Sequence, residues 1–304
     1  MKITTIACWA AVSVLGTLGL SAAEPGPDPY TQEIEAWRAH RLQQLTRADG
    51  WLTLIGLHFL QPGENSVGTA PDNAVVLAKG PGHLGTFTLA PDGRVKGAFN
   101  PGIDVQVGGQ AVLSADLRDD KPGPPTLVTM GEVSLMVIDR DGKKALRVKD
   151  SAAETRTKFP GIEYFPIDPG WRIEAQWVPF DKPREVPIRN VLGNVSPALI
   201  LGKAVFVRDG QTCELLPIQE APDETLFFVI SDLTSGNQTY AAARFLYAAP
   251  PVDGKVVLDF NRAQNPPCAF TPFATCPLPP SENQLKLAIT AGEKFQGHGV
   301  SPTH

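Results

Sequence analysis

Hydrophobic residues recur at two different spacings along this chain. Between residues 30 and 48 they recur every three or four positions, which places Ile34, Trp37 and Leu45 on one side of a helix. Asp49-Gly50 supplies a stop signal directly afterwards. The segment therefore predicts one amphipathic helix, which packs on a sheet through Trp37 and Leu45.

From Trp51 the pattern changes to short apolar stretches separated by turn sequences such as Pro91-Asp92-Gly93 and Asp141-Gly142. This pattern is typical of antiparallel strands. The strands predicted up to residue 150 are Trp51–Leu60, Asn65–Thr69, Ala74–Leu77, Leu84–Leu89, Arg94–Phe99, Ile103–Val107, Gln110–Leu113, Leu127–Met130, Val133–Asp139 and Lys143–Lys149.

A second region of strands follows, again divided by turn signals such as Asp209-Gly210 and Asp253-Gly254. Its predicted strands are Trp171–Val178, Glu185–Val191, Ala198–Val207, Gln211–Leu216, Thr225–Ser231, Gln238–Tyr247, Lys255–Asp259 and Lys286–Thr290. We therefore predict an all-β fold of two antiparallel modules. Residues 24–50 form a linker and helix, residues 51–150 an N-terminal sandwich, and residues 151–304 a C-terminal β sandwich or barrel.

The first residues of the chain have the layout of a secretory signal peptide. Lys2 precedes an apolar run from Ile3 to Leu20, and the small residues Ser21-Ala22-Ala23 follow it. The alternative, a membrane anchor, calls for a longer apolar span with flanking charges. We therefore expect cleavage after Ala23 and a periplasmic or secreted protein that has no membrane contact once it is cleaved.

Charge and composition narrow the classes of partner. The net charge is −5, whereas nucleic acid and anionic membranes call for a basic face, so neither is an expected partner. The histidines lack metal-ligand spacing, and the chain has no phosphate loop, dinucleotide fingerprint or nucleophile elbow. We therefore predict no metal and no cofactor. The oligomeric state is not indicated by the sequence.

The segment from Asp259 to Asn283 combines many prolines with Phe260, Phe270 and Phe273. Prolines prevent a helix or a central strand, while the phenylalanines need a surface to bury against. We call this segment the proline-rich coil and expect it to be ordered on the second module. Long ordered loops are often functional.

Polar residues in and near this coil form the predicted site. We expect a small polar or anionic ligand to bind there, in a pocket lined by Tyr240, Arg244, Asn261, Arg262, Asn265 and Glu282. An envelope hydrolase that uses the same residues is the alternative, so whether the protein is an enzyme stays open. A further alternative is structural: Asn261 stabilises a turn and Arg244 pairs with an acidic neighbour to fix the coil.

Three cysteines remain after the predicted cleavage: Cys213, Cys268 and Cys276. In an oxidising compartment Cys268 and Cys276, close together on a stiff coil, are reasonable disulfide partners. Two free buried thiols are the first alternative. A nucleophilic Cys268, which needs a nearby base, is the second.

Several motifs together resemble the bacterial domain of unknown function family 1684, and the resemblance extends over nearly all of the mature chain. They are Trp51–Leu60 followed by Gly63-Glu64-Asn65, Phe159–Asp168, Asp232–Tyr240 followed by Arg244-Phe245-Leu246, Asp259–Phe270, Cys276–Pro280 and Ala291–Lys294. The resemblance implies no established activity.

The first module is also similar, more faintly, to forkhead-associated domains. Gly63–Leu77 resembles the opening strand and loop of that family, and Val107-Gly108-Gly109 resembles its late hairpin. Thr69 stands where that family has an arginine, and Gly82–Gly85 lacks its serine and histidine pattern. Phosphate recognition needs cationic or multiple donors, so we expect no binding of phosphothreonine peptides.

Overall fold

The structure is a computed structural model that describes residues 28–121, 123–219, 224–295 and 297. The predicted signal peptide, residues 1–23, lies outside these residues. The fold is mostly β, with several antiparallel sheets and one longer helix near the N-terminus, which confirms the predicted class. No helix in the described ranges is long and apolar enough to cross a membrane.

The helix α1 spans Pro29–Leu45. Asp28 caps it, since its Oδ1 accepts hydrogen bonds from the backbone N–H groups of Tyr30 and Thr31 at 3.0 and 3.1 Å. Proline at the first position suits a helix start because its missing N–H would have no partner there. Leu45 is buried and Trp37 half-buried. A second, single-turn helix α2, Glu154–Thr157, was not predicted.

The first module is a sandwich of two sheets with strand orders β1-β11-β10-β9-β6-β7 and β3-β2-β4-β5-β8. All neighbouring strands run antiparallel except β2 and β3. The strands are β1 (Leu54–Phe59), β2 (Gly63–Gly68), β3 (Val75–Val76), β4 (Gly85–Leu89), β5 (Val95–Phe99), β6 (Gln106–Val107), β7 (Gln110–Ala111), β8 (Ser114–Leu117), β9 (Val128–Met130), β10 (Val133–Arg140) and β11 (Lys143–Asp150). Strand β8 was not predicted.

The alternation of side chains along β11 determines what each face of its sheet presents. Leu146 and Val148 belong to the core between the two sheets. Successive side chains of a strand point to opposite faces, so Arg147 and Lys149 point away from that core. This outer face is directed towards α1 and the second module.

The second module contains a four-stranded sheet of order β14-β13-β12-β17, a two-stranded sheet β15-β16, and a half-barrel arrangement. Its strands are β12 (Arg172–Arg189), β13 (Val195–Arg208), β14 (Gln211–Leu215), β15 (Leu226–Ile230), β16 (Arg244–Ala248) and β17 (Lys255–Asp259). Strand β12 joins two predicted strands across an irregularity between Pro179 and Arg184. Both sheets contribute to one core, which includes Phe228, Leu246 and Leu258.

Two predicted strands in this region were wrong in part. The strand predicted from Gln238 begins only at Arg244, because the carbonyl of Thr234 accepts the N–H groups of Gln238 and Thr239 and forms a turn. The stretch Lys286–Thr290 is not a strand. Leu287 and Ile289 within it are nevertheless buried in the core, which explains the strand-like pattern.

The proline-rich coil is ordered and contains three short 3-10 turns, Phe260–Arg262, Pro267–Ala269 and Ser281–Asn283. It contacts the rest of the protein through backbone and side-chain bonds. Thr275 Oγ1 accepts a hydrogen bond from Arg140 Nε at 3.3 Å, and the Cys276 carbonyl accepts one from the Val191 N–H at 3.0 Å. The coil therefore lies where the two modules meet.

Candidate functional site

Arg244 is buried to 1% exposure and its guanidinium is occupied by the protein itself. Its Nη2 pairs with Asp232 Oδ2 at 2.6 Å and also donates to the Ile289 carbonyl at 3.0 Å. Its Nη1 donates to the Ala291 carbonyl at 2.6 Å. These contacts correspond to the structural alternative, in which Arg244 pairs with an acidic neighbour.

Asn261 and Tyr240 are also buried among protein partners. The Asn261 side chain donates to the Asp168 carbonyl at 2.8 Å and accepts from the Asp168 N–H at 3.0 Å. The Tyr240 hydroxyl donates to the Cys268 carbonyl at 3.1 Å. Both side chains thus fasten neighbouring segments to one another.

Arg262 pairs with Glu33 of α1 and with Asp259, the latter at 3.3 Å. Glu282 is exposed and accepts a hydrogen bond from the Ser281 hydroxyl at 2.9 Å. The six predicted residues therefore do not surround one cavity, and their joint role in binding stays a prediction. Of the six, Asn265 alone lines a cavity of about 300 Å³ that lies beside the coil.

This cavity opens between α1, the first module and the coil. We call it the aromatic cavity because many of its side chains carry rings. Its lining residues are Arg41, Trp51, Arg140, Arg147, Phe227, Phe245, Tyr247, Gln264, Asn265, Pro267, Thr275, Cys276 and Pro277. Among the residues that the structure describes, this lining contains three arginines and no carboxylate.

A second cavity of about 400 Å³, the basic cavity, shares Arg41, Trp51 and Arg147 with the first. Its full lining is Arg41, Gln44, Leu45, Arg47, Asp49, Gly50, Trp51, Arg147 and Lys149. Asp49 is the one carboxylate that the described residues bring to this lining, and it pairs with Arg47 at 2.9 Å. Cations therefore outnumber carboxylates in both cavities, although the chain as a whole has a net charge of −5.

Arg147 lies where the two cavities meet and is 7% exposed. Its Nε is buried without a hydrogen-bond partner, and no ion pair reaches its guanidinium from the described residues. Its guanidinium carbon lies 5.2 Å from the centre of the Trp51 ring, a cation–π contact. Burial, together with the nearby charge of Arg140, lowers the pKa of Arg147 to about 10.

The neighbouring cations are held in place by contacts that leave the cavities open. Arg41 Nε pairs with the fully buried Glu293 at 2.9 Å, and Arg41 Nη2 donates to the Asn265 carbonyl at 2.9 Å. Arg140 Nη1 pairs with Asp120 at 2.7 Å. The positions of these guanidinium groups are therefore fixed before any ligand arrives.

Lys149 projects from the same face of β11 as Arg147. Its Nζ donates to the Asp49 carbonyl at 2.6 Å, and burial lowers the pKa of this amine. A neutral carbonyl does not cancel the charge of an ammonium group. Lys149 therefore adds a second cation without a carboxylate partner to the site.

Cys268 and Cys276 are free in the structure but lie beside each other. The Cys268 N–H donates to Cys276 Sγ at 3.2 Å. A hydrogen bond between the thiols lowers the pKa of Cys268 and raises that of Cys276. Cys276 borders the aromatic cavity, and Cys213 is buried in the core of the second module. In the described part of the chain, no three His, Cys, Asp or Glu side chains are grouped to hold a metal ion.

The family model described as "Protein of unknown function (DUF1684)" matches residues 157–294, and the chain belongs to this family. Among solved structures, the chain is similar to an uncharacterized protein of Haloarcula marismortui, determined by solution NMR. The identity is 32%, with a TM-score of 0.39, over 46% of this chain and 79% of that chain. No curated protein matches.

The matched family region includes one wall of the aromatic cavity, with Tyr247, Asn265 and Thr275. Trp51 and Arg147 lie outside it. Sequence reasoning missed Arg147 because an arginine between Leu146 and Val148 is the expected solvent side of a half-buried strand. The burial of Arg147 becomes apparent only in the folded structure, where α1 and the second module cover that face of the sheet.

Proposed function

We propose that this protein binds a small anionic ligand in the two joined cavities, with Arg147 at their junction. The ligand class agrees with the one expected from the sequence, a polar or anionic molecule. The proposed binding site, however, lies at the border of the second module with α1 and the first module, and not in the interior of the second module. Asn265 is the member of the predicted cluster that remains in the site.

The main support for this proposal is that the Arg147 side chain is buried while its Nε has no hydrogen-bond partner among the described residues. A buried guanidinium is unfavourable unless it has a counter-charge or hydrogen-bond acceptors. Arg147 is 7% exposed, and its guanidinium lies against the face of Trp51. The nearby Asp120 carboxylate raises the pKa of Arg147 but is itself paired with Arg140. A carboxylate or phosphate group in the cavity supplies the missing acceptors in bidentate geometry.

The lining supports binding over hydrolysis. Its carboxylate, Asp49, is engaged by Arg47. Its sulfur, Cys276, is not a thiolate in either redox state, because the raised pKa keeps the reduced thiol protonated and the oxidised form is bonded to Cys268. Hydrolysis needs a nucleophile or a carboxylate that activates water within reach of the ligand. A cluster of fixed arginines needs neither in order to hold an anion.

The proposal also places the protein outside the cytoplasm. It rests here on the pattern of Lys2, the apolar run that follows, and Ser21-Ala22-Ala23. The expected mature protein starts at Glu24 and contains an oxidised Cys268–Cys276 pair. Mass spectrometry of the envelope fraction tests this, and an intact Met1 terminus on the protein found there would contradict it.

Thermal unfolding with small anions tests the binding proposal. Phosphate, sulfate and citrate are compared at constant ionic strength, so that general screening is equal. An anion present at ten times its Kd adds about 1.4 kcal/mol to the stability and raises Tm by about 3 °C. The variant Arg147→Met should abolish this rise.

Arg94→Met is the matched control, because Arg94 is exposed and pairs with Asp92 away from the cavities. This control should keep the full anion-dependent rise in Tm. The proposal fails if no anion raises Tm, or if Arg147→Met retains the rise.

A further inference from the structure

Tyr247 presents an accessible ring to the aromatic cavity. It is paired across strands with Phe227, and the two rings stack at 5.0 Å with an interplanar angle of 13°. Phe245 meets Phe227 edge-on at 4.8 Å and supports this stack. Tyr247 is nevertheless 46% exposed, and its hydroxyl has no hydrogen-bond partner among the residues that the structure describes.

Rings surround the arginines of this cavity. The ring-bearing side chains in the lining are Trp51, Phe227, Phe245, Tyr247, Pro267 and Pro277. An inorganic anion would satisfy the guanidinium of Arg147 but leave this apolar wall in contact with water. A volume of about 300 Å³ is sufficient for a small organic molecule and larger than a single oxyanion needs.

We propose that the ligand joins an oxyanion to a planar ring, as in an aryl carboxylate or an aryl phosphate. The oxyanion lies between Arg41 and Arg147, and the ring lies against Tyr247. This inference rests on the proposed function and specifies its ligand class. Additional polar or charged substituents are accommodated in the basic cavity, beside Lys149.

Two features of the cavities support placing the oxyanion beside the arginines and the ring against Tyr247. Arg41 and Arg147 line both cavities, so an oxyanion held between them leaves the aromatic cavity free for the rest of the molecule. The aromatic wall is built on β15 and β16, a paired sheet whose rings are fixed by mutual contacts. A fixed wall binds a flat ligand with little loss of side-chain freedom.

Calorimetric titration of matched pairs tests the inference. Benzoate is compared with cyclohexanecarboxylate, and phenyl phosphate with cyclohexyl phosphate, so that each pair shares its oxyanion and ring size and differs in the aromaticity and planarity of the ring. Contacts between aromatic rings are expected to strengthen binding of the aromatic member by about two- to tenfold. The pair that binds more tightly identifies the oxyanion.

The variant Tyr247→Leu should remove the aromatic preference while keeping binding that depends on Arg147. Tyr247→Phe, which retains the ring, should keep the preference. If the leucine variant does not fold, the comparison within each pair on the wild-type protein decides the question alone.

The outcomes separate this inference from the function on which it rests. Equal affinity within both pairs, together with a loss of binding in Arg147→Met, overturns the planar-ring inference and leaves the anion site intact. A preference that survives in Tyr247→Leu overturns it as well. Binding by none of the four compounds, or binding that Arg147→Met does not weaken, overturns both.

Discussion

Arg147 on β11 stacks its guanidinium on Trp51, which precedes β1, with 5.2 Å between the guanidinium carbon and the ring centre. The two strands are neighbours in one sheet, so the pair is held by the backbone of the first module. A cation–π contact contributes about 0.5–2 kcal/mol. It positions the arginine without neutralising it, and the charge stays available to a ligand.

Replacing Arg147 by methionine should not destabilise the unliganded protein. The pKa of Arg147 falls to about 10 in the fold, so the charged side chain opposes folding at pH 7, and this penalty disappears only as pH rises above 10. We expect the free energy of unfolding of Arg147→Met to be unchanged or about 1–2 kcal/mol higher in urea denaturation at pH 7. A loss above about 2 kcal/mol would show that the arginine is structural.

Replacing Arg244 by methionine should have the opposite effect. The variant leaves the Asp232 carboxylate buried without its cation and removes donors from two buried carbonyl groups. Breaking a buried ion pair on one side costs about 3–5 kcal/mol. Urea denaturation measures this loss with Arg94→Met as control, and a change below about 1 kcal/mol would contradict the structural role.

Asp139 should contribute stability that disappears in acid. Burial alone would raise its pKa, but hydrogen bonds from Lys144, the Gly142 N–H and Lys121 hold it at about 2 instead of 3.8. A lowered pKa in the fold stabilises above pH 4, and this contribution is lost as pH falls from about 4 to 2.

The variant Asp139→Asn should therefore lose about 2 kcal/mol at pH 7 and show a shallower fall in stability between pH 4 and 2. Unfolding free energies at several pH values measure both effects. Identical pH profiles for the variant and the wild type would rule out this contribution of Asp139.

The cysteine pair gives a prediction that depends on the proposed export. Transfer of two hydrogens from Cys268 and Cys276 to an oxidising disulfide of the compartment would join the two sulfurs. The bridge closes a short loop and should stabilise the fold by about 2–3 kcal/mol. Peptide mapping without reductant measures it, with Cys213 expected to stay free. Alkylation of both coil thiols in protein from the envelope would refute it.

Local patterns were sufficient to predict the class of fold. The position of α1 follows from the spacing of Ile34, Trp37 and Leu45, and the strands of the first module follow from the alternation of residues such as Leu146 and Val148. The stretch around Ile289 was misassigned because burial at alternate positions does not require pairing in a sheet.

The candidate site depends on contacts between distant segments, which local patterns do not specify. Arg244 was a candidate binding residue because it is an arginine on an apolar strand. The structure shows that it forms an ion pair with Asp232, which lies on another segment. Arg147 was not predicted as a site residue, because the alternation along its strand predicts a solvent-exposed polar side chain at that position. Packing of α1 and Tyr247 over the same face made it a buried cation.

Anomalous diffraction from crystals soaked in selenate would locate an anion bound at Arg147, because selenium marks the position of a tetrahedral oxyanion. We predict a selenium peak within about 4 Å of the Arg147 guanidinium, between Arg41 and Trp51, that is absent from crystals of Arg147→Met. Strong selenate peaks elsewhere on the protein, with none beside Arg147 in the wild type, would show that Arg147 is not part of an anion site.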